Sequence, residues 1–155
     1  NPVERYFKSG IYTPMHSKET LSNAMDVGDP SNFKRVNKIF DLDLDKMRET
    51  IYAFSFTDYQ TRDAIKDVLK NFKYICDPHG AIGYLGAKKY VGNNLGSHCI
   101  FLETAHYYKF FDEIKSLIGN EFNVPSQLAS ILNKEKNSVA VKDYIDFKDY
   151  INSNL

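Results

Sequence analysis

The sequence predicts an α/β fold in which a mainly parallel sheet is flanked by helices. Two observations lead to this prediction. Short segments rich in β-branched and aromatic residues alternate with longer segments of helical periodicity. The helices that follow the strand-like segments begin at recognisable caps, so that a predicted strand passes almost directly into a helix.

The N-terminal third of the chain is predicted to hold three helices and one long irregular stretch. Helices are predicted at about Val3–Lys8 and at Leu44–Thr50, and another helical pattern begins at Ser31. One face of that pattern carries Phe33, Val36, Asn37 and Phe40. Gly10–Pro30 is rich in Ser, Thr, Gly and Pro, and a stretch of this length without periodicity is either functional or disordered in a compact domain.

Three segments are predicted to be strands from their β-branched and aromatic content, namely Ile51–Phe56, Lys73–Cys76 and Ser97–Glu103. The third has a continuous apolar centre and is the clearest candidate for a buried strand. Cys76 and Cys99 lie in two of these segments, and we expect both to be inert thiols in the core.

Helix boundaries are predicted from capping residues. Thr57 and Gln60 have the spacing of a capping box, which opens a helix directly after the first predicted strand. Asp77 followed by Pro78 is a strong helix start after the second, and Gly92 marks the end of that helix.

The C-terminal part of the chain is predicted to be helical. A helix is expected from Tyr107 to Ile118, with Gly119 as a left-handed cap. Val124–Leu155 should hold two or three short helical segments.

The composition argues against several classes of function. Lys and Arg number 20 and so do Asp and Glu, so the net charge is zero and no basic surface for nucleic acid is indicated. No apolar run approaches the roughly 20 residues that a membrane helix needs. Two cysteines outside any CxxC pair do not make a disulfide framework, which favours a reducing, cytoplasmic setting.

The first residues, Asn1–Tyr6, have neither the basic start nor the apolar centre of a signal peptide. They also lack an initiator Met, so we expect the chain to be an excerpt of a longer protein.

Polar side chains follow two of the predicted strands. Asp77 and His79 follow the second, and Thr104 and His106 follow the third. Because ligands in open α/β sheets bind beyond the carboxyl ends of the strands, these groups could converge on one cleft. The alternative is that Asp77 and Thr104 are only the caps of the helices that follow them.

Three segments resemble parts of the microbial threonine synthases, in the right order and at about the right separations. They are the irregular loop TLSNAMDVGDPSNF at Thr20–Phe33, the acidic-Pro-His segment DPHGA at Asp77–Ala81, and the last core strand with its turn, FLETAH, at Phe101–His106, followed by Lys109 and Phe110. The likeness extends from Asn1 to about Ile131. One departure is Tyr107-Tyr108, where related sequences commonly have Pro-Ala.

The resemblance implies the C-terminal part of a fold type II pyridoxal-phosphate enzyme that converts O-phosphohomoserine and water to threonine and phosphate. In such enzymes a lysine forms a Schiff base with the cofactor, and a Gly-rich loop at a helix N-terminus holds the cofactor phosphate. Both features precede, in the family, the part that this chain resembles. The chain alone is therefore expected to contain no catalytic lysine, to be inactive and to need the N-terminal half of the same enzyme.

The same resemblance divides the chain and assigns roles to its residues. Residues 1–122 would be the C-terminal portion of the large domain, and residues 123–155 a helical extension of it. Thr104 would lie beside the pyridine nitrogen of the cofactor, and Asp77 and His79 would line the same pocket. A substrate-side loop would contain Asn23, Ala24, Met25 and Asp26. The plain alternative for that loop is a surface turn of polar residues.

Two other segments imitate family motifs and are rejected. Phe147-Lys148-Asp149 resembles the surroundings of the Schiff-base lysine, but it follows the Thr104 segment and lies in a tail with an apolar helical stripe. Gly92–Gly96 resembles the phosphate loop, but it ends a helix and would present the negative end of the helix dipole to an anion.

No metal site is predicted, because the four histidines show no ligand spacing with one another or with cysteine. Two alternative functions remain. One is a threonine-synthase-like phospholyase, which eliminates phosphate and releases a keto acid. The other is a non-catalytic α/β module that mediates assembly.

Overall fold

The computed structural model describes residues 1–23, 26–119 and 124–154. The chain divides into two compact units, Asn1–Phe122 and Asn123–Leu155. The helices of the first unit are α1 (Pro2–Ser9), α2 (Phe33–Ile39), α3 (Leu44–Thr50), α4 (Asp58–Phe72), α5 (Pro78–Asn93) and α6 (Phe111–Ile118), the last preceded by a 3₁₀ turn at Tyr107–Phe110. The helices of the second unit are α7 (Ser126–Ala129) and α8 (Tyr144–Asn154).

The caps predicted for α4 and α5 are confirmed. Thr57 Oγ1 accepts a hydrogen bond from Gln60 N at 3.3 Å, and Gln60 Oε1 accepts one from Thr57 N at 2.9 Å. Asp77 is the N-cap of α5 and Pro78 occupies its first turn. These bonds satisfy N–H groups that the first turn of a helix otherwise leaves without partners.

Replacing Thr57 with alanine should lower the free energy of unfolding by about 1 kcal/mol, because Gln60 N loses the hydroxyl that accepts its hydrogen bond, whereas the bond from the backbone N of residue 57 to Gln60 Oε1 can remain. Urea unfolding followed by circular dichroism measures the change. Thr50→Ala is the matched control, since its hydroxyl only contacts carbonyls of its own helix at 3.4 and 3.5 Å. Equal losses in the two variants would contradict the capping role of Thr57.

The core of the first unit lies between α4, α5 and α6. Helix α4 packs against both α5 and α6. The irregular N-terminal stretch contributes to the same core, because Leu21 is buried in it. The other buried members of this cluster are Ala64, Ile65, Val68, Cys76, Ala81, Phe110, Ile114 and Ile118.

The predicted parallel sheet is not present in the described residues. The segments 51–57, 73–77 and 97–106 carry no strand assignment, and no backbone hydrogen bond joins one of them to another. A strand needs a neighbour to satisfy its backbone groups, and the described part of this chain provides none. The composition of these segments therefore indicated strand propensity without fixing a partner.

The expectation that 97–103 is buried is also wrong in this structure. The side chain of Ile100 is 92% exposed and that of Leu102 is 75% exposed. Cys99 is exposed too, so the core-thiol prediction is wrong for Cys99. Cys76 is buried as expected, and burial raises the pKa of its thiol to about 12, which keeps it protonated and unreactive.

In the second unit, the two helices agree with the expected short helical segments. Tyr144, Ile145 and Tyr150 on α8 are exposed, and Lys148 is exposed on the same helix. No helix in the described parts of the chain combines the length and the apolar character needed to cross a membrane.

Candidate functional site

Asp77 organises the first turn of α5. Its side chain is fully buried. Asp77 Oδ1 accepts a hydrogen bond from His79 N at 2.8 Å and lies 3.0 Å from His79 Nδ1. One carboxylate therefore caps the helix and orients the imidazole, whose side chain stays 33% exposed. The ring of His79 lies 5.4 Å from that of Phe110, measured between centroids.

Glu103 holds the segment that carries Thr104 close to Asp77, at the start of α5. Glu103 Oε1 accepts a hydrogen bond from Asp77 N at 2.5 Å. Thr104 is the next residue, so its Cα lies about 3.8 Å from that of Glu103. The segments that carry Asp77 and Thr104 thus meet at the start of α5.

Glycines of α5 allow the segment ending at Glu103 to lie close to the helix. A Cβ added at Gly83 would meet the Cβ of Phe101 at 3.5 Å, an ordinary contact. A Cβ added at Gly80 would overlap the carboxyl group of Glu103. The segment from Phe101 to Glu103 therefore runs along α5 toward the N-terminus of the helix. The Glu103 carboxyl group occupies the space that a side chain at position 80 would fill.

Thr104 is free to bind a ligand. Its hydroxyl is exposed and makes no hydrogen bond within the described residues. The cap of the 3₁₀ turn is His106, whose Nδ1 accepts a hydrogen bond from Tyr108 N at 3.1 Å. The alternative in which Thr104 only caps the following helix is therefore contradicted. For Asp77 the capping role is real, and a ligand contact would be additional to it.

The two carboxyl groups have opposite pKa shifts. Burial, followed by the hydrogen bond with Asp77, raises the pKa of Glu103 to about 7. Burial would also raise the pKa of Asp77, but hydrogen bonds with Glu103 and with His79 together lower it. Asp77 is thus the ionised member of the pair, and Glu103 is the member that keeps a proton up to about pH 7.

Sequence reasoning did not single out Glu103, the residue that joins the two segments. The available signal was a carboxylate at the end of the apolar run Cys99–Leu102, a position where an ionised group is costly unless it has partners.

The predicted substrate-side loop is only partly described. Asp26 accepts hydrogen bonds from the backbone N and the hydroxyl of Thr20, at 3.1 and 2.6 Å. Asn23 Nδ2 donates to Glu113 Oε1 of α6 at 2.7 Å. Ala24 and Met25 lie outside the described residues. Among the described contacts, no hydrogen bond joins this loop to Asp77, His79 or Glu103.

Two clefts lie near the residues discussed above, one beside the irregular loop and the other beside the stretches next to Asp77 and Thr104. One of about 540 Å³ is lined by residues of the irregular loop, Ser22 and Asp26 among them, and by Phe54–Phe56. The other, of about 470 Å³, lies between Lys73–Ile75 and Ala105–Tyr107, the stretches that flank Asp77 and Thr104.

The rejected glycine-rich segment Gly92–Gly96 lies at the C-terminal end of α5 and in the turn that follows it. Helix α5 continues through Gly92 to Asn93, and Asn94 N donates to Val91 O at its C-terminal end. Gly96 follows with φ of 88°, in a turn. The described residues contain no group of three or more His, Cys, Asp or Glu side chains that could hold a metal ion.

Comparison with known proteins gives consistent matches. Residues 80–151 match the family described as "Threonine synthase, C-terminal". Threonine synthase of Escherichia coli (strain K12) is 33% identical over 127 residues, which cover 82% of this chain and 29% of the relative. Threonine synthase of Serratia marcescens is 35% identical over 127 residues, with the same coverage of 82% and 29%. The chain therefore spans less than a third of the length of these relatives.

Solved structures agree with the sequence comparison. The crystal structure of threonine synthase from Escherichia coli superposes with a TM-score of 0.83 and 28% identity, covering 100% of this chain and 36% of that one. The structure of PLP-bound threonine synthase from Brucella melitensis gives a TM-score of 0.67 at 24% identity, covering 97% and 38%, and supports the fold alone. Together with the ordered motifs, these matches show that the chain is similar to the C-terminal portion of threonine synthases.

Proposed function

We propose that this chain forms the C-terminal portion of an enzyme, here called the parent enzyme, that uses pyridoxal phosphate to convert O-phosphohomoserine and water to threonine and phosphate. The observation that carries the proposal is the meeting of Asp77 and the Glu103–Thr104 segment at the start of α5. The relatives reported above are all named threonine synthases, which does not favour the phospholyase alternative.

Two groups near the start of α5 support the proposal of a site for a flat aromatic cofactor. Thr104 offers a hydroxyl without a partner in the described residues, and His79 presents a partly exposed ring held by Asp77. We assign Thr104 to the pyridine nitrogen of pyridoxal phosphate, and Asp77 and His79 to the wall of the same pocket.

When bound, pyridoxal phosphate supplies an electron sink for carbanion chemistry on the amino acid substrate. A threonine hydroxyl can donate to the pyridine nitrogen or accept from it, and so does not force it to stay protonated. A carboxylate in that position would hold the proton. We do not assign that role to Asp77, because its Oδ1 caps α5 and holds His79 and its side chain is fully buried.

The remaining assignments follow from the same proposal. Residues 1–122 would belong to the large domain and residues 123–155 would extend it, with the N-terminal half of the enzyme as partner and the cytoplasm as compartment. Segments 51–56, 73–76 and 97–103 would become strands of a mainly parallel sheet there, because the exposed side chains of Ile100 and Leu102 need a cover. Asn23, Ala24, Met25 and Asp26 would border the substrate.

Product analysis tests the proposed function. The parent enzyme, loaded with pyridoxal phosphate and given O-phosphohomoserine, should release threonine and phosphate in equal amounts. Formation of a keto acid in place of threonine would establish the phospholyase. A folded, cofactor-loaded enzyme that releases no phosphate would contradict the proposal.

The isolated chain is expected to give no saturable absorbance band with pyridoxal phosphate, because the Schiff-base lysine of the family would lie in the N-terminal half of the parent enzyme. A spectroscopic titration of the 155-residue chain measures this, with Lys148→Ala as the control variant. A stoichiometric band that disappears only in Lys148→Ala would overturn the prediction.

A further inference from the structure

We propose that Glu103 is a positioning residue, which shares one proton with Asp77 and thereby holds the Thr104 segment on the first turn of α5. The shared proton is a property of this chain itself. The effect on Thr104 rests on the proposed function.

The first observation is the distribution of hydrogen bonds around the two carboxyl groups. One oxygen of each is engaged: Glu103 Oε1 accepts from Asp77 N at 2.5 Å, and Asp77 Oδ1 accepts from His79 N. The other two, Asp77 Oδ2 and Glu103 Oε2, are buried and have no donor among the described residues when both groups are ionised. Leaving a buried polar atom unsatisfied costs about 1–3 kcal/mol, and more when the group is charged.

A single proton shared by the two carboxyl groups would give both of these buried oxygens a hydrogen-bond partner. The carboxyl groups of Asp77 and Glu103 lie close enough that each shifts the pKa of the other. If Glu103 keeps its proton, its O–H can donate to Asp77 Oδ2, and the buried pair carries one negative charge instead of two. That charge lies on Asp77, where the N–H groups at the start of α5 and the imidazole of His79 stabilise it.

The packing allows the Asp77–Glu103 pair to fix the position of Thr104 relative to α5. The carboxyl group of Glu103 occupies the space above Gly80, and the peptide bond after Glu103 leads directly to Thr104. Because Thr104 has no other hydrogen bond among the described residues, Glu103 is the nearest polar anchor that ties it to α5.

Other titratable groups face the pair. Among the described residues these are Tyr74 and Cys76 from the preceding segment and His79 from α5. Burial is the main reason why the pKa values of Tyr74 and Cys76 are raised, and the two carboxyl groups raise them further. Neither carries a positive charge near neutral pH. A hydrogen bond from the Cys76 thiol lowers the pKa of Glu103, but burial and the interaction with Asp77 outweigh it.

The pH dependence follows from the raised pKa of Glu103. In the unfolded chain Glu103 loses its proton near the ordinary value of 4.5, whereas in the folded chain it does so near 7. Its contribution to stability is therefore fully present below about pH 4.5 and is lost as the pH rises through 7. The lowered pKa of Asp77 acts in the opposite sense, with stability lost only as the pH falls below its ordinary value of 3.8.

Infrared spectroscopy of the 155-residue chain tests the shared proton directly. The difference spectrum between the chain and Glu103→Gln should contain a protonated-carboxyl band that disappears with a midpoint near pH 7. Glu103→Gln should also abolish the loss of stability toward alkaline pH, because an amide imitates the protonated acid. A carboxyl band that already disappears near the ordinary 4.5 would overturn the proposal, whatever the enzyme does.

Kinetics of the parent enzyme test the positioning role. Glu103→Ala should lower kcat by about ten- to hundredfold with little change in KM, because Thr104 loses its anchor while the substrate loses no contact. Glu103→Gln should restore most of that loss, since its amide can accept from Asp77 N and donate to Asp77 Oδ2. Equal kcat values for the Ala and Gln variants would overturn the positioning role. A parent enzyme without any synthase activity would instead count against the proposed function, and the infrared result would still decide on the proton.

Discussion

Replacing Thr104 with valine in the parent enzyme is expected to lower kcat by about ten- to hundredfold. Valine keeps the shape of threonine but removes the hydroxyl that we assign to the pyridine nitrogen. The substitution would leave the pyridine nitrogen without a partner in the pocket, and an unsatisfied buried polar group costs about 1–3 kcal/mol, which corresponds to roughly that range. Steady-state measurement of threonine formation gives the result.

The matched control for Thr104→Val is Ser97→Ala. Ser97 lies at the other end of the same segment, and its backbone N donates to Asn94 O, a bond that alanine keeps. We expect this variant to retain the activity of the unsubstituted enzyme. If Thr104→Val were as active as Ser97→Ala, with the cofactor fully bound in both, the assignment of Thr104 would be wrong.

Replacing Gly80 with alanine should lower the free energy of unfolding of the chain by about 1–3 kcal/mol, the usual cost of overpacking. Alanine favours a helix interior by about 1 kcal/mol over glycine, so on helix propensity alone the change would stabilise α5. The added methyl group, however, overlaps the carboxyl group of Glu103 and must displace it. Urea unfolding measures the net effect.

Gly83→Ala is the control on the same helix. Its methyl group would meet Phe101 at an ordinary distance of 3.5 Å, so this variant should be as stable as the original chain or slightly more stable. The double variant Gly80→Ala/Glu103→Ala should lose less stability than the sum of the single changes, because the overlap is removed with the side chain. Strict additivity would argue against contact between Gly80 and Glu103.

The helices could be predicted from sequence because their signals are local. The capping box of Thr57 and Gln60 and the Asp77-Pro78 start act within one turn, and the structure has both. The end of α5 was set at Gly92, whereas the helix continues to Asn93, a difference within the usual fraying of helix ends.

The sheet could not be predicted in the same way, because strand formation depends on partners. Segment 97–103 has the composition of a buried strand, yet its Ile100 and Leu102 are exposed and its Cys99 is accessible. In the described structure the segment contacts α5 through Phe101 and Glu103, which lie on the same side of it. The composition of a segment indicates whether it is suited to burial. A neighbouring strand or layer must be present for the segment to become buried.

The site was predictable only where its residues belong to recognisable motifs. Asp77, His79 and Thr104 were proposed as site residues in this way. Glu103 was not, because its importance arises from Asp77, a residue 26 positions earlier in the chain. Neither local periodicity nor cap chemistry reports a contact over that separation. The overlap with Gly80, which explains why glycine is needed in the first turn of α5, required coordinates for the same reason.

The account depends most on Thr104 and Asp77 reaching one cofactor pocket. A crystal structure of the parent enzyme with bound pyridoxal phosphate would measure this directly. We predict that the Thr104 hydroxyl lies within about 3.2 Å of the pyridine nitrogen, with Asp77 still capping α5 beside it. A pyridine nitrogen paired with a carboxylate, or a Thr104 side chain turned away from the ring, would contradict the account.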